Sequence, residues 1–330
     1  MRTLIVGLGS IGCRHGRNLA GLGVDVVGFD PVSSRRAAFV AAVPGAETLE
    51  TFEAGLEAGC DFAVIASPNA FHLEQAVAAA RTGLHLFIEK PLAVSPAGVE
   101  VLAEEVERRG LTVLMGSNWK FHPGPRRLKC LVEADALGRV LAVQAIGGQY
   151  LPDWHPWEDY RVMYSSRAAL GGGVLLDSHD VDYLTWLAGP VRTIACRTTR
   201  TGTLDIETPD LACLLLTLAS GAYGTLQLDY LQRPYARRVH LTGSRGTAVW
   251  DYPEGRVRHY EAAAGRWHEH PTPEDWDLNQ MYVDEMEHFL ECLIEKRATV
   301  TPLSQALHVL AVLDRARASS AAGGVPMEVA

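Results

Sequence analysis

The sequence predicts an α/β protein that opens with a doubly wound parallel sheet. Three observations carry that expectation. The first 120 residues alternate short apolar runs with helical stretches. A glycine-rich turn joins the first run to the first helix. The alternation then stops, and from Val191 onward strand-like segments follow one another. A chain of 330 residues at roughly 100–200 residues per domain suggests two domains, and the change of pattern divides them at 1–120 and 121–330.

The elements follow in order. Leu4–Val6, Val24–Phe29, Phe62–Ile65, Leu84–Ile88 and Val113–Met115 are short and apolar, as strands covered on both faces should be. Leu73–Arg81 is Ala-rich, and Ala97–Arg109 sets Val99, Leu102, Ala103 and Val106 on one helical stripe. Alternating strands and helices build βαβ units. Pro123–Asp135 reads as a helix. Gln149–Arg167 is a polar-aromatic stretch, and Gly171-Gly172-Gly173 precedes a helix from His179 to Leu187. Val191–Tyr260 reads as strands, with turns at Ser220-Gly221 and Gly243–Gly246. The apolar run Leu211–Leu218 implies cover on both sheet faces, one of them from a second subunit. Tyr282, Met286, Phe289, Leu290 and Leu293 form the apolar face of a long acidic helix. Gln305–Ser319 is the last helix; the segment at about 303–320 is expected to pack back on the N-terminal domain.

Composition narrows the function. The net charge is −9, and no basic patch stands out, which argues against nucleic acid as the partner. Cys13, Cys60, Cys130, Cys196, Cys213 and Cys292 form no CxxC pair and no metal-ligand spacing. They read as free thiols in a reducing compartment, hence a cytoplasmic protein. The start, MRTLIVGLGS, is broken too early by glycine to read as a signal peptide. The longest apolar stretch is far shorter than a membrane span. HExxH, a carboxylate array and a GxSxG elbow are all missing from the sequence, so metal and nucleophilic hydrolytic chemistry are not expected.

The turn Gly7-Leu8-Gly9-Ser10-Ile11-Gly12 lies between a strand and a helix. In that context GxGxxG binds a dinucleotide. Gly7 allows the tight turn, Gly9 lets backbone approach the pyrophosphate, and Gly12 lets the helix pack close. The helix N-terminus offers N–H groups and partial positive charge to the phosphates. Asp30 ends the second strand, near the usual spacing for the carboxylate that binds the adenosine ribose. It repels a 2′-phosphate and favours NAD over NADP. Arg35 and Arg36 act in the other direction.

Longer segments point to a family. Gly7–His15 (GLGSIGCRH), Ala66-Ser67-Pro68-Asn69 with His72, Glu89-Lys90-Pro91 and Leu170–Gly189 (LGGGVLLDSHDVDYLTWLAG) occur in this order. Together they resemble the Gfo/Idh/MocA family of nicotinamide-dependent oxidoreductases along nearly the whole chain. The resemblance implies an N-terminal Rossmann domain and a C-terminal α/β domain on a largely antiparallel open sheet. It implies that Ser67, Pro68, Asn69, His72 and Glu89 belong to the cofactor site, and that the substrate is a sugar, cyclitol or nucleotide sugar. It also implies a homodimer or homotetramer paired through that sheet.

The chemistry can be read from residues. Lys90 follows a parallel strand at its carboxyl end, where ligands of open α/β sheets bind. Its ammonium would stabilise alkoxide-like charge on a substrate oxygen, and the family's matching Lys also contacts cofactor. His179 suits a proton acceptor. Asp182, three residues on and on the same helix face, orients that ring or helps bind substrate. Many family members place an Asp four residues before the histidine, whereas here Asp177 is two before and position 175 is Leu. Asp177 either takes that role, in catalysis and substrate binding, through a shortened turn, or caps the helix.

Trp154 and Trp157 could stack on a sugar, with Arg161 among the polar groups beside them; the alternative is an aromatic-pinned loop or subunit contact. Lys120 follows the last Rossmann strand, where the family often lines its substrate pocket. His122, Arg126, Arg127 and Arg167 would meet a phosphate if the substrate were a nucleotide sugar. The main expectation is an NAD-dependent dehydrogenase or reductase without a metal. The alternatives are an NAD-dependent redox-neutral glycosidase or lyase, and a non-catalytic NAD-responsive binding protein.

Overall fold

The computed structural model describes residues 1–168, 172–176 and 178–329. Contacts divide the chain into two units. One comprises Met1–Phe121 and Asp277–Leu307, the other His122–Trp276 and His308–Ala330. The chain therefore returns to its first unit at Asp277, a segment that a single cut after residue 120 leaves out.

In the first unit the described residues form a parallel sheet of β1 (Arg2–Val6), β2 (Asp25–Phe29), β3 (Glu47–Leu49), β4 (Phe62–Ile65), β5 (His85–Ile88) and β6 (Val113–Met115). Their spatial order is β3-β2-β1-β4-β5-β6, with parallel registers throughout. The order reverses between β1 and β4, the switch point where such sheets open a crevice. The helices are α1 (Ser10–Gly21), α2 (Ser33–Ala42), α3 (Phe52–Leu56), α4 (His72–Thr82) and α5 (Val99–Arg109). β4 is buried at every residue, which explains its unbroken apolar run. β3 has no such run, only Glu-Thr-Leu half in water, and forms through its pairing with β2.

The core of this unit holds Ile5, Leu19, Val26, Phe39, Val64, Phe87 and Leu114. Met286 and Phe289 join it from the returning segment, and the Phe289 ring meets Phe62 edge-on at 5.4 Å. Fully burying one such side chain contributes about 1.5–3 kcal/mol.

The second unit is built on nine strands among the described residues: β7 (Val140–Gly148), β8 (Val191–Thr199), β9 (Leu211–Leu218), β10 (Tyr223–Asp229), β11 (Ala236–Gly243), β12 (Gly246–Asp251), β13 (Arg256–Glu261), β14 (Arg266–Pro271) and β15 (Met327–Glu328). They run in the order β14-β13-β12-β11-β7-β10-β9-β8-β15. Neighbours are antiparallel except for the parallel pair β7 and β10. Helices α6 (Pro123–Glu133) and α7 (His179–Ala188) pack on one face, against β12 and β7.

The run Leu211–Leu218 is covered on one face within the chain, not on two. Ala212, Leu214, Leu216 and Leu218 point inward, while Cys213 and Leu215 are exposed. Helix α8 (Gln280–Glu295) belongs to the first unit, and α9 (Leu303–Ala321) carries the boundary at Leu307. On α8 the fully buried stripe is Met281, Glu285, Met286, Phe289 and Cys292. Leu290 and Leu293 flank the core half-buried.

Candidate active site

The carboxyl edge of the parallel sheet arranges the first unit's chemistry. Strand-like hydrogen bonds continue one residue past each strand: Gly7 N to Phe29 O at 2.8 Å, Ala66 N to Val6 O at 2.8 Å, Glu89 N to Ile65 O at 2.9 Å and Gly116 N to Ile88 O at 2.7 Å. Gly7, Ala66–Ser67, Glu89–Lys90 and Gly116–Ser117 therefore stand side by side, in the order of their strands.

The glycine-rich turn fits a dinucleotide. Gly7 has φ +92°, and a Cβ there would lie 2.5 Å from the Ser67 Cα. A Cβ on Gly12 would lie 1.9 Å from the Gly7 carbonyl oxygen. Gly9 differs, since a Cβ there would meet nothing within 4 Å. The chain's own packing leaves that space open, and α1 begins behind it with Ser10 and Ile11 and no capping side chain. Its N-terminal dipole attracts an anion.

Asp30 is 2% exposed. Its Oδ2 accepts the Leu8 N–H at 3.0 Å, and its Oδ1 accepts the Val32 N–H at 2.9 Å. The carboxylate thus fixes the glycine-rich turn, a role the spacing rule does not reveal. An ionised carboxylate keeps further acceptor sites for ribose hydroxyls. Arg35 is exposed, with Nη1 3.6 Å from Asp30 Oδ2. Arg36 Nη1 donates to the Asp30 carbonyl at 2.9 Å.

The Ser67–His72 segment lies against Gly7. Ser67 Oγ donates to Gln75 at 2.6 Å. After Pro68, Asn69 opens a short 3-10 turn, and its Nδ2 is buried with no hydrogen-bond partner among the described residues. A buried amide donor left open suits a polar ligand group. His72 is 1% exposed, and both its ring nitrogens meet carbonyl oxygens, Ser67 at 2.7 Å and Pro91 at 2.8 Å. It braces the segment from behind. Glu89 Oε1 lies 2.6 Å from His15 Nε2, and Glu89 Oε2 accepts the Lys90 N–H at 3.2 Å. Lys90 is half-buried. His15 thus joins the Glu89-Lys90-Pro91 segment from α1, three residues after Gly12.

In the second unit, His179 is the first residue of α7 and half-buried. Asp182 is buried one turn on, its N–H bonded to the Ser178 carbonyl at 2.9 Å. Asp177, with Gly171, lies outside the described residues. Between the two candidates is a residue the sequence reading missed. Asp180 is fully buried, and its Oδ2 lies 3.1 Å from Arg237 Nη2. The Tyr183 hydroxyl donates to Asp180 Oδ1; burial, then the Asp180 charge, push that hydroxyl's pKa far up. This group anchors the start of α7, where His179 sits.

The polar-aromatic stretch folds into short 3-10 turns. Trp154 meets Tyr230 edge-on at 5.2 Å, and its indole N–H is buried with no partner among the described residues. Trp157 is 77% exposed. Arg161 makes a two-pronged ion pair with Asp159, at 2.9 Å through Nε and 2.7 Å through Nη2. Lys120 is 2% exposed, with Nζ donating to Thr301 Oγ1 at 3.0 Å.

The phosphate reading of His122 is corrected by the structure. His122 caps α6, with Nδ1 accepting the Gly124 N–H at 3.0 Å. It is packed 4.5 Å from the Trp276 ring. Burial, with Arg237 nearby, lowers its pKa to about 4.

A parallel sheet with a glycine turn at its switch point defines the dinucleotide-binding class of α/β proteins. Comparison with known families makes this specific. Residues 1–117 match the oxidoreductase family with an NAD-binding Rossmann fold, and residues 126–249 match the GFO/IDH/MocA C-terminal domain. The chain belongs to the Gfo/Idh/MocA family, and it is an NAD-dependent oxidoreductase.

Among its relatives is the rhizopine catabolism protein MocA of Rhizobium meliloti, 29% identical over 69% of this chain and 70% of that protein. Another is the scyllo-inositol 2-dehydrogenase (NAD(+)) of Bacillus subtilis (strain 168), 24% identical over 89% of this chain and 86% of that protein. Among solved structures, levoglucosan dehydrogenase in complex with NADH and levoglucosan shares the fold. Its TM-score is 0.90 at 17% identity, over 100% of this chain and 99% of that one.

Proposed function

We propose that this protein transfers hydride between NAD and a secondary alcohol or ketone of a sugar, cyclitol or nucleotide sugar. The observation that carries the reading is Lys90, set at the carboxyl edge of the parallel sheet two strands from the glycine turn. The relatives' activity on inositols and the substrate of the levoglucosan enzyme support the substrate class.

The cofactor is held by the backbone of Gly7, Gly9, Ser10, Ile11 and Gly12, with Asp30 on the ribose and Ser67, Pro68 and Asn69 beside the turn. Bound NAD supplies the hydride acceptor. Lys90 donates a hydrogen bond to the substrate oxygen and stabilises the negative charge that grows there. His179 takes the hydroxyl proton through a ring nitrogen. Asp182 holds the substrate or that ring, and Trp154 offers a flat apolar surface to a sugar ring.

The exposed sheet face with Leu215 and Tyr223 pairs with a second copy, giving a homo-oligomer. Six free thiols suit a reducing cytoplasm.

The test is to incubate the protein with NAD and, separately, myo-inositol, scyllo-inositol, levoglucosan, glucose and UDP-N-acetylglucosamine. Reduced nicotinamide is followed by absorbance. Turnover on one class supports the reading. Bound NAD with silence across the panel, together with no NADH oxidation on the matching ketones, counts against it.

A further inference from the structure

Two buried histidines flank the tripeptide that carries Lys90. His15, on α1, is fully buried between the rings of Phe87 at 5.0 Å and Tyr282 at 6.0 Å. Its Nε2 lies 2.6 Å from Glu89 Oε1. A carboxylate only accepts, so Nε2 carries the proton. The other Glu89 oxygen takes the Lys90 backbone N–H at 3.2 Å. The same carboxylate lies against Gly116, where a Cβ would come within 3.0 Å of Oε2. On the other side, His72 of α4 meets the Pro91 carbonyl at 2.8 Å and the Ser67 carbonyl at 2.7 Å.

We propose that His15 and His72 are positioning residues that clamp Glu89-Lys90-Pro91 from both sides and so aim Lys90 at the reacting oxygen. His15 rides on the helix whose N-terminus faces the glycine turn. His72 grips Ser67, which touches that turn. Both arms therefore tie Lys90 to the glycine turn, through backbone and carboxylate contacts. The inference rests on the reading of Lys90 as the polarising cation.

The test uses His15→Leu and His72→Leu, which keep bulk and remove donors, against His15→Gln and His72→Gln, which keep them. Lys90→Met is the reference. The first readout needs no substrate. The chain has four lysines, so trace acetylation with acetic anhydride, mapped by mass spectrometry, reports Lys90 against exposed Lys296. Each Leu variant should raise the Lys90:Lys296 labelling ratio several-fold, and each Gln variant should restore it. For the His15 variants, titration with NADH should show affinity within threefold of the parent.

On the best panel substrate, each Leu variant should lose at least tenfold in kcat with KM little changed. Adding it to Lys90→Met should cost nothing more, since groups acting as one unit are not additive. Unchanged labelling in the Leu variants, equal losses in Leu and Gln variants, or additive losses with Lys90→Met would overturn the clamp. A Lys90→Met enzyme of near-parent turnover would instead overturn the role of Lys90, on which the clamp depends. Should a Leu variant not fold, His15→Asn, whose shorter amide falls short of Glu89, takes its place in the same comparison.

Discussion

Asp30 Oδ2 accepts the Leu8 N–H at 3.0 Å, so the carboxylate at the end of β2 braces the turn that follows β1. In the proposed function the same side chain also meets the cofactor's ribose. Asp30→Ala should lower NAD affinity at least tenfold and shift preference toward NADP, with Arg35 left to meet a 2′-phosphate. It should also cost about 1–3 kcal/mol of stability, from buried N–H groups left unpaired. Nicotinamide titration and urea unfolding read the two effects separately. Lost stability with unchanged affinity would leave Asp30 as a brace alone.

Lys90→Met should reduce kcat by about 10²–10³, the range for removing one donor to developing charge. NAD binding, read by equilibrium titration, should change by less than threefold. Steady-state kinetics across substrate concentration would separate this from a binding defect.

The buried ion pair of Asp180 and Arg237 should be unforgiving. Arg237→Met leaves a fully buried carboxylate without its cation, at a cost of about 3–5 kcal/mol. Chemical denaturation should show that loss. The double variant Arg237→Met, Asp180→Asn should recover part of it.

His122 gives a pH signature. Its pKa falls from 6.5 to about 4 in the folded protein, so the unfolded chain binds a proton that the native state refuses. Its contribution is full above pH 6.5 and is lost as pH falls from about 6.5 to about 4. The slope is about 1.4 kcal/mol per pH unit for one proton, or about 3 kcal/mol across the window. Urea midpoints at pH 7 and pH 5 should differ accordingly. His122→Asn, which keeps an acceptor for the Gly124 N–H, should flatten that part of the profile.

Leu215 is 53% exposed and Tyr223 is 63% exposed, both on strands of the open sheet. If that face pairs two copies as proposed, Leu215→Glu should give a monomer in sedimentation velocity without lowering the melting temperature of the separated chain. An unchanged sedimentation coefficient would overturn pairing through this face.

Much of this could be read from the chain because the signals were local. Buried strands announce themselves as apolar runs, and GxGxxG with Lys90 marks the sheet edge. What escaped was set by partners distant in sequence. β3 has no apolar run and exists through β2. Glu285 lies in a helix that reads as amphipathic, yet it is fully buried, with Oε1 accepting the Ser117 N–H. The bond from Lys120 Nζ to Thr301 spans a sequence distance that no local pattern signals. The contacts of the two His72 ring nitrogens with the Ser67 and Pro91 carbonyls are likewise invisible in the sequence. Leu211–Leu218 reads as doubly covered because composition cannot tell an inward leucine from one awaiting a partner.

The return of the chain at Asp277 has a consequence for synthesis. Phe62 and Phe87 emerge from the ribosome early, but Phe289, whose ring meets both at 5.4 and 6.0 Å, comes some two hundred residues later. Through that interval the nascent sheet exposes an apolar face that no later helix has yet sealed. A chaperone that holds aromatic surface would find its grip there, and release would await translation of α8. A circular permutant that opens the chain before Asp277 and joins the old termini would deliver this helix ahead of the sheet it seals.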